Sequence, residues 1–165
     1  METLDFSPHV VSAFKLLIFT GCRLGEILTL EWRFVDFEKK RMTLPDTKTG
    51  RRVGPLSDLA IETLENTPVM GEFVIRGRCS DKPRSDLKRP WKKLCSNASL
   101  DGLRIHDLRH TFASHGIEQG LSLHVVGKLL GHKSLETTAR YAHLHDRSLR
   151  IALGVIGKKI KDQIE

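Results

Sequence analysis

Cysteine is scarce in this chain. Cys22, Cys79 and Cys95 form an odd set of three at wide spacing, and no two of them make a C-x-x-C pair. That pattern argues against a cysteine metal site and fits a reducing cytoplasm. Long hydrophobic runs are missing as well. The longest apolar stretch, Val10 to Phe19, is interrupted by Lys15, and it falls far short of the roughly 20 residues a membrane span requires. No signal-peptide pattern opens the chain, so no membrane partner is expected. Tyrosine is rarer still, with Tyr141 the single example. Internal repeats, low-complexity tracts and evident linkers are also absent, so one domain over residues 1–165 is the simplest organisation.

What the chain has is positive charge. Lys and Arg number 27 against 20 Asp and Glu, giving a net charge of +7 and a pI near 9.5. Such a balance favours polyanionic partners, although the total does not say where the basic residues cluster. With 39% hydrophobic residues among 165, there is enough chain to bury one proper core.

Local patterns predict a mostly helical α+β domain with one small antiparallel sheet. Ser7-Pro8 opens a helix that closes near Gly21, and a short helix is expected from Gly25 to Leu30. From Arg41, the run M-T-L-P, the turn D-T-K-T-G and the run R-R-V-G-P-L read as two short strands joined by a polar turn that carries Lys48. Ser57 to Glu65 reads as a helix, Glu72 to Ile75 as extended, and the basic stretch Arg84 to Leu94 as a helix interrupted by Pro90. Further helices are expected from Asp107 to Gln119, from Ser122 to Leu130 and from Ser134 to His143. Leu149, Leu153, Ile156, Ile160 and Ile164 then recur at helical spacing and mark an amphipathic tail.

Several of these residue types carry chemistry. In H-D-L-R-H, His106 and Arg109 are three apart and share one side of a helix. Ala113 and Gly116 continue that side, where small residues would leave room for something bulky to approach. An Arg and a His near a helix start can embrace a phosphate, or they can form a solvated polar face. His106 and His110 also sit four apart, as zinc ligands of H-E-x-x-H do, but Asp107 stands where that motif has Glu. A third ligand would have to come from His115, His132, His143 or His145. Tyr141, in R-Y-A-H, lies about 110° round the helix from the middle of the Leu135, Ala139, Ala142 stripe. It would then flank a core rather than fill one, and a half-buried structural tyrosine is the plain alternative.

The order of the fragments is more specific than any one of them. T-G-C-R-L-G-E at 20–26, T-K-T-G at 47–50, H-D-L-R-H at 106–110, L-G-H at 130–132 and Tyr141 follow one another along the chain. In this combination the chain resembles the tyrosine recombinase family, the integrases of phages and mobile elements and the chromosome-dimer resolvases, from about Ser7 to the tail. The resemblance implies the catalytic domain of that family, with a small antiparallel sheet packed beside a helical core. It implies an active site of Arg23, Lys48, His106, Arg109, His132 and Tyr141, with Glu26 supporting Arg23. Tyr141 would be the nucleophile and His106 its base. His132 would donate a hydrogen bond to the transition state, and Lys48 would protonate the departing 5′ oxygen. Two arginines can neutralise phosphate charge where other enzymes use metal ions, so no metal or cofactor is implied.

The implied activity is site-specific cutting and rejoining of DNA through a covalent 3′-phosphotyrosine intermediate. The tail segment Y-A-H-L-H-D-R-S-L-R resembles integrases of prophages and integrative elements more than it does the chromosome-dimer resolvases. Implied partners are double-stranded DNA, lined by basic residues from Arg76 to Lys93, and other protomers, in a tetramer on DNA held through the C-terminal tail. Packing of that tail on its own body remains open. The helical N-terminal domain of full-length family members is expected to be absent from this chain. Two other readings fit the same residues: a type IB topoisomerase-like activity, and a DNA-binding module with an inactive site.

Overall fold

Helix α1 (Pro8–Thr20) opens the computed structural model with Pro8 at its first position, where the fixed φ suits a helix start and the missing N–H costs nothing. The structure describes residues 6–45, 50–77, 82–134, 136–142 and 145–164, with only the backbone of 145–152. They fall into two compact units, Met1–His110 and Thr111–Glu165, which are taken in turn.

In the first unit, α1 ends at Gly21, whose φ of 62° is left-handed and whose N–H reaches the Leu17 carbonyl at 3.1 Å. Ser7 occupies the cap position, but its side chain makes no cap bond. Helix α2 (Leu24–Leu28) follows, then a 3-10 turn (Trp32–Phe34) and strand β1 (Val35–Asp36). Strands β2 (Arg41–Leu44) and β3 (Arg52–Pro55) are the two expected ones, paired antiparallel with Leu44 opposite Arg52. β1 was not expected, since two residues are too few to carry an alternating pattern; it adds to β2 and gives the order β1-β2-β3.

Helix α3 (Asp58–Glu65) is capped by Ser57 Oγ, which accepts from the Ala60 N–H. The expected extended segment at 72–75 is reduced to an isolated bridge between Glu31 and Phe73. Helix α4 (Lys88–Asn97) starts later than expected: Asp86 Oδ1 accepts from the Lys88 N–H at 3.0 Å, and Pro90 falls within the first turn, where it breaks no helical bond. Leu16, Ile27, Leu30, Met42 and Leu64 are fully buried in one apolar cluster, so the sheet rests beside helices as expected. Each such side chain stabilises the fold by about 1.5–3 kcal/mol. Trp91 fastens α4 by packing on Phe14 at 5.4 Å and donating to the Leu103 carbonyl at 2.8 Å.

Helix α5 (Asp107–Glu118) leads into the second unit, where α6 (Leu123–Leu130) is capped by Ser122 Oγ and closed by Gly131 at φ 68°. Ala113, Ile117, Val126, Leu130 and Tyr141 form a second apolar cluster. The room expected beside Ala113 and Gly116 is taken by a neighbouring helix of the same chain. Ala113 is fully buried, and a Cβ on Gly116 would meet Val126 Cγ2 at 3.1 Å, so α6 fills the small-residue side. Helix α7 is also shorter than expected, Glu136–Ala139, although Ser134 Oγ does accept from the Glu136 N–H. The Tyr141 N–H bonds to the Thr138 carbonyl, a 3-10 type closure that ends the helix before Tyr141. Helix α8 (His145–Ile164) is the expected tail. Among the described residues, no helix is long and apolar enough to cross a membrane.

Candidate functional site

Arg23 precedes α2, and its position is fixed by Glu26. The Glu26 carboxylate accepts from the Arg23 backbone N–H at 2.8 Å and from Arg23 Nη1 at 2.9 Å. Its second partner is Arg52 of β3, whose Nη2 donates to Glu26 Oε2 at 2.9 Å and to Cys22 Sγ at 3.3 Å. Burial alone would raise the Glu26 pKa. The Arg23 N–H, the charge of Arg52 and the bonds from both guanidiniums outweigh it, so the carboxylate is held below its ordinary range. The expected Glu26–Arg23 support is therefore present, and Arg52 is an addition that the motifs did not indicate.

Arg109 is buried and donates from Nη1 to the Gly21 carbonyl at 2.6 Å, at the turn that leads into Arg23. Burial first, then the positive charge of Arg23, lower its pKa to about 10, which still leaves it protonated at neutral pH. Two guanidiniums are thus held at one turn of the first unit, each by a hydrogen bond that fixes its direction. Such a pair offers several N–H donors to the oxygens of a phosphate.

His106, just before α5, is exposed, and its ring meets that of His110 edge-on at 5.1 Å. Partial desolvation of the ring, then His110 and Arg109, lower its pKa against a smaller opposing effect of Asp107, so the ring is biased towards the neutral, proton-accepting form. Asp107 itself is engaged by Arg104 at 2.8 Å. Among the described residues, no group of three or more His, Cys, Asp or Glu is arranged to hold a metal ion.

The second unit holds His132 and Tyr141. His132 Nδ1 lies 2.8 Å from Thr138 Oγ1, and the Tyr141 N–H donates to the Thr138 carbonyl at 3.0 Å. Tyr141 is only 6% exposed and belongs to the apolar cluster. This differs from the flanking position that helical counting predicts, because α7 stops before Tyr141 and the count of 100° per residue no longer applies. Lys48 lies outside the described residues. The strands on either side, β2 and β3, are in place, and Arg52 ties the start of β3 to Glu26.

Comparison with known proteins adds to this geometry. The model of the phage integrase family matches residues 5–148. The shufflon-specific DNA recombinase of Escherichia coli is 35% identical over 133 residues, covering 79% of this chain and 34% of that protein. Tyrosine recombinase XerA of Saccharolobus solfataricus is 32% identical over 135 residues, covering 79% of this chain and 44% of that protein. The chain therefore spans less than half the length of either relative. Among solved structures, the catalytic domain of bacteriophage HP1 integrase superposes with a TM-score of 0.65 at 27% identity, covering 87% of this chain and 79% of that one.

Proposed function

Because the chain belongs to the phage integrase family, we propose that it cuts and rejoins double-stranded DNA at specific sites, through a covalent 3′-phosphate bond to Tyr141. The observation that carries this reading is the turn at Gly21–Arg23, where Glu26 and the Gly21 carbonyl hold Arg23 and Arg109 as fixed phosphate donors.

In the proposed reaction Tyr141 Oη attacks the phosphorus and the bond from phosphorus to the 5′ oxygen breaks. The tyrosine proton passes to His106, and Lys48 supplies a proton to the departing oxygen. Arg23, Arg109 and His132 meet the extra negative charge on the non-bridging oxygens. The phosphotyrosine bond keeps the energy of the broken one, so a 5′ hydroxyl from another strand can reverse the step. Double-stranded DNA would be engaged in part by Lys82, Arg84, Lys88 and Arg89, which line one hollow beside the start of α4. A prophage or integrative element as the source, residues 1–165 as one catalytic domain and assembly of protomers through α8 belong to the same reading.

The test is incubation with nicked site DNA in excess EDTA, followed by a denaturing gel. The parent chain is expected to form an adduct that survives denaturation. Tyr141→Phe should bind DNA with similar affinity and form none. An adduct that persists in Tyr141→Phe refutes the nucleophile, and one that requires added zinc restores the metal reading.

A further inference from the structure

Thr138 is fully buried in the second unit, where a hydroxyl is stable only when bonded. Its Oγ1 lies 2.8 Å from His132 Nδ1, and its carbonyl accepts from the Tyr141 N–H at 3.0 Å. One side chain and its own backbone thus touch both of the residues singled out in this unit. Helix α6 shapes the other side of the contact. A Cβ built on Gly127 would lie 2.8 Å from Thr138 Oγ1, so the hydroxyl sits where only a glycine backbone leaves room. The Gly127 carbonyl in turn accepts from the His132 N–H at 2.9 Å. His132 is therefore tied by its backbone to α6 and by its ring to Thr138.

We propose that Thr138 is a positioning residue that sets the tautomer of His132, so that the ring carries its proton on Nε2. A hydroxyl can donate as well as accept. Thr138 is fully buried, and among the described residues His132 Nδ1 is the acceptor within reach of its hydroxyl proton, so towards the neutral ring it donates to Nδ1, which leaves the single ring proton on Nε2. Towards the charged ring it accepts from the Nδ1 proton, and Nε2 keeps its own. The contact therefore persists in both charge states, and Nε2–H is a donor in both. A carbonyl or carboxylate at the same place can only accept, and it would draw the proton of the neutral ring to Nδ1. The tautomer assignment stands on the Thr138 contact. Its use in catalysis rests on the reading of His132 as a donor to the phosphate.

Nitrogen NMR of the histidine rings in the full 165-residue chain without DNA tests the assignment, with His132 identified by loss of its signals in His132→Gln. At a pH where the ring is neutral, Nδ1 should resonate as an unprotonated, hydrogen-bonded nitrogen and Nε2 as a protonated one. Thr138→Val, which keeps the shape, should move the Nδ1 resonance to that of an unbonded nitrogen, and Thr138→Ser should restore it. Adduct formation on nicked DNA should fall about tenfold in Thr138→Val, the worth of one buried hydrogen bond, with DNA affinity unchanged and recovery in Thr138→Ser. A protonated Nδ1 in the parent, or an Nδ1 resonance unmoved by Thr138→Val, overturns the proposal. If the resonances behave as expected while neither Thr138→Val nor His132→Ala slows adduct formation, the tautomer assignment holds and the catalytic reading of His132 falls.

Discussion

A base is useful only when its proton is off, and the surroundings of His106 favour that state. Partial desolvation of the ring contributes most, followed by the electrostatic effects of His110 and Arg109, and together they lower its pKa. The ring therefore loses its proton at a pH below the ordinary histidine value of about 6.5 and is a free acceptor near neutrality. If His106 takes the Tyr141 proton, the rate of adduct formation should rise with pH to a plateau, with its midpoint below that value. Replacing His110 by Ala removes a like charge, which favours the protonated ring and shifts the midpoint upward. Single-turnover cleavage measured across pH 5 to 8 checks both expectations. A midpoint that His110→Ala leaves in place points to another base. His106 and Arg109 were legible as a pair because helical spacing is local. Arg52 was not, because its meeting with Glu26 joins β3 to α2 across long separation in the chain.

At the scale of elements, local signals read well where a residue's own backbone needs set the boundary. Pro8, Ser57, Ser122 and Gly131 all stand at the helix ends their chemistry favours. Elements set by tertiary packing read poorly. β1 exists because β2 offers it an edge, and α7 stops where the Thr138 carbonyl takes the Tyr141 N–H. Tyr141 consequently lies in the apolar cluster, a placement no helical count from the sequence gives. Gly21 combines both kinds of role: its left-handed φ of 62° ends α1, and its carbonyl receives Arg109. An alanine there must adopt a conformation that costs an L-residue about 1–2 kcal/mol. Gly21→Ala is therefore expected to lower unfolding stability by about that much in urea titration, with an unchanged slope. It should also slow adduct formation, since the carbonyl that orients Arg109 moves with the turn. A stable variant with full activity would show that the turn tolerates other geometries.

At the scale of the whole molecule, helix α8 carries an apolar face that is exposed along its described length. Leu153, Ile156, Ile160 and Ile164 are spaced along it as one apolar row, yet they are 70%, 54%, 51% and 79% exposed. A row of aliphatic side chains left in water forfeits the stabilisation that burial of each would bring, so a covering surface is favoured. If the chain exchanges strands as proposed above, a neighbouring protomer would be that surface, because rejoining to a new partner requires more than one nucleophile on the DNA. Removal of residues 153–165 should then leave the Tyr141 adduct at a single site intact and abolish higher-order complexes on DNA. Sedimentation of the chain with a two-site DNA, at low and at moderate salt, separates the outcomes. Raising salt weakens phosphate contacts for parent and truncated chain alike, whereas loss of an apolar contact affects assembly at every salt concentration. If the truncated chain still sediments as the higher-order complex, α8 does not bridge protomers. If it loses single-site cleavage too, the tail supports the body of its own chain.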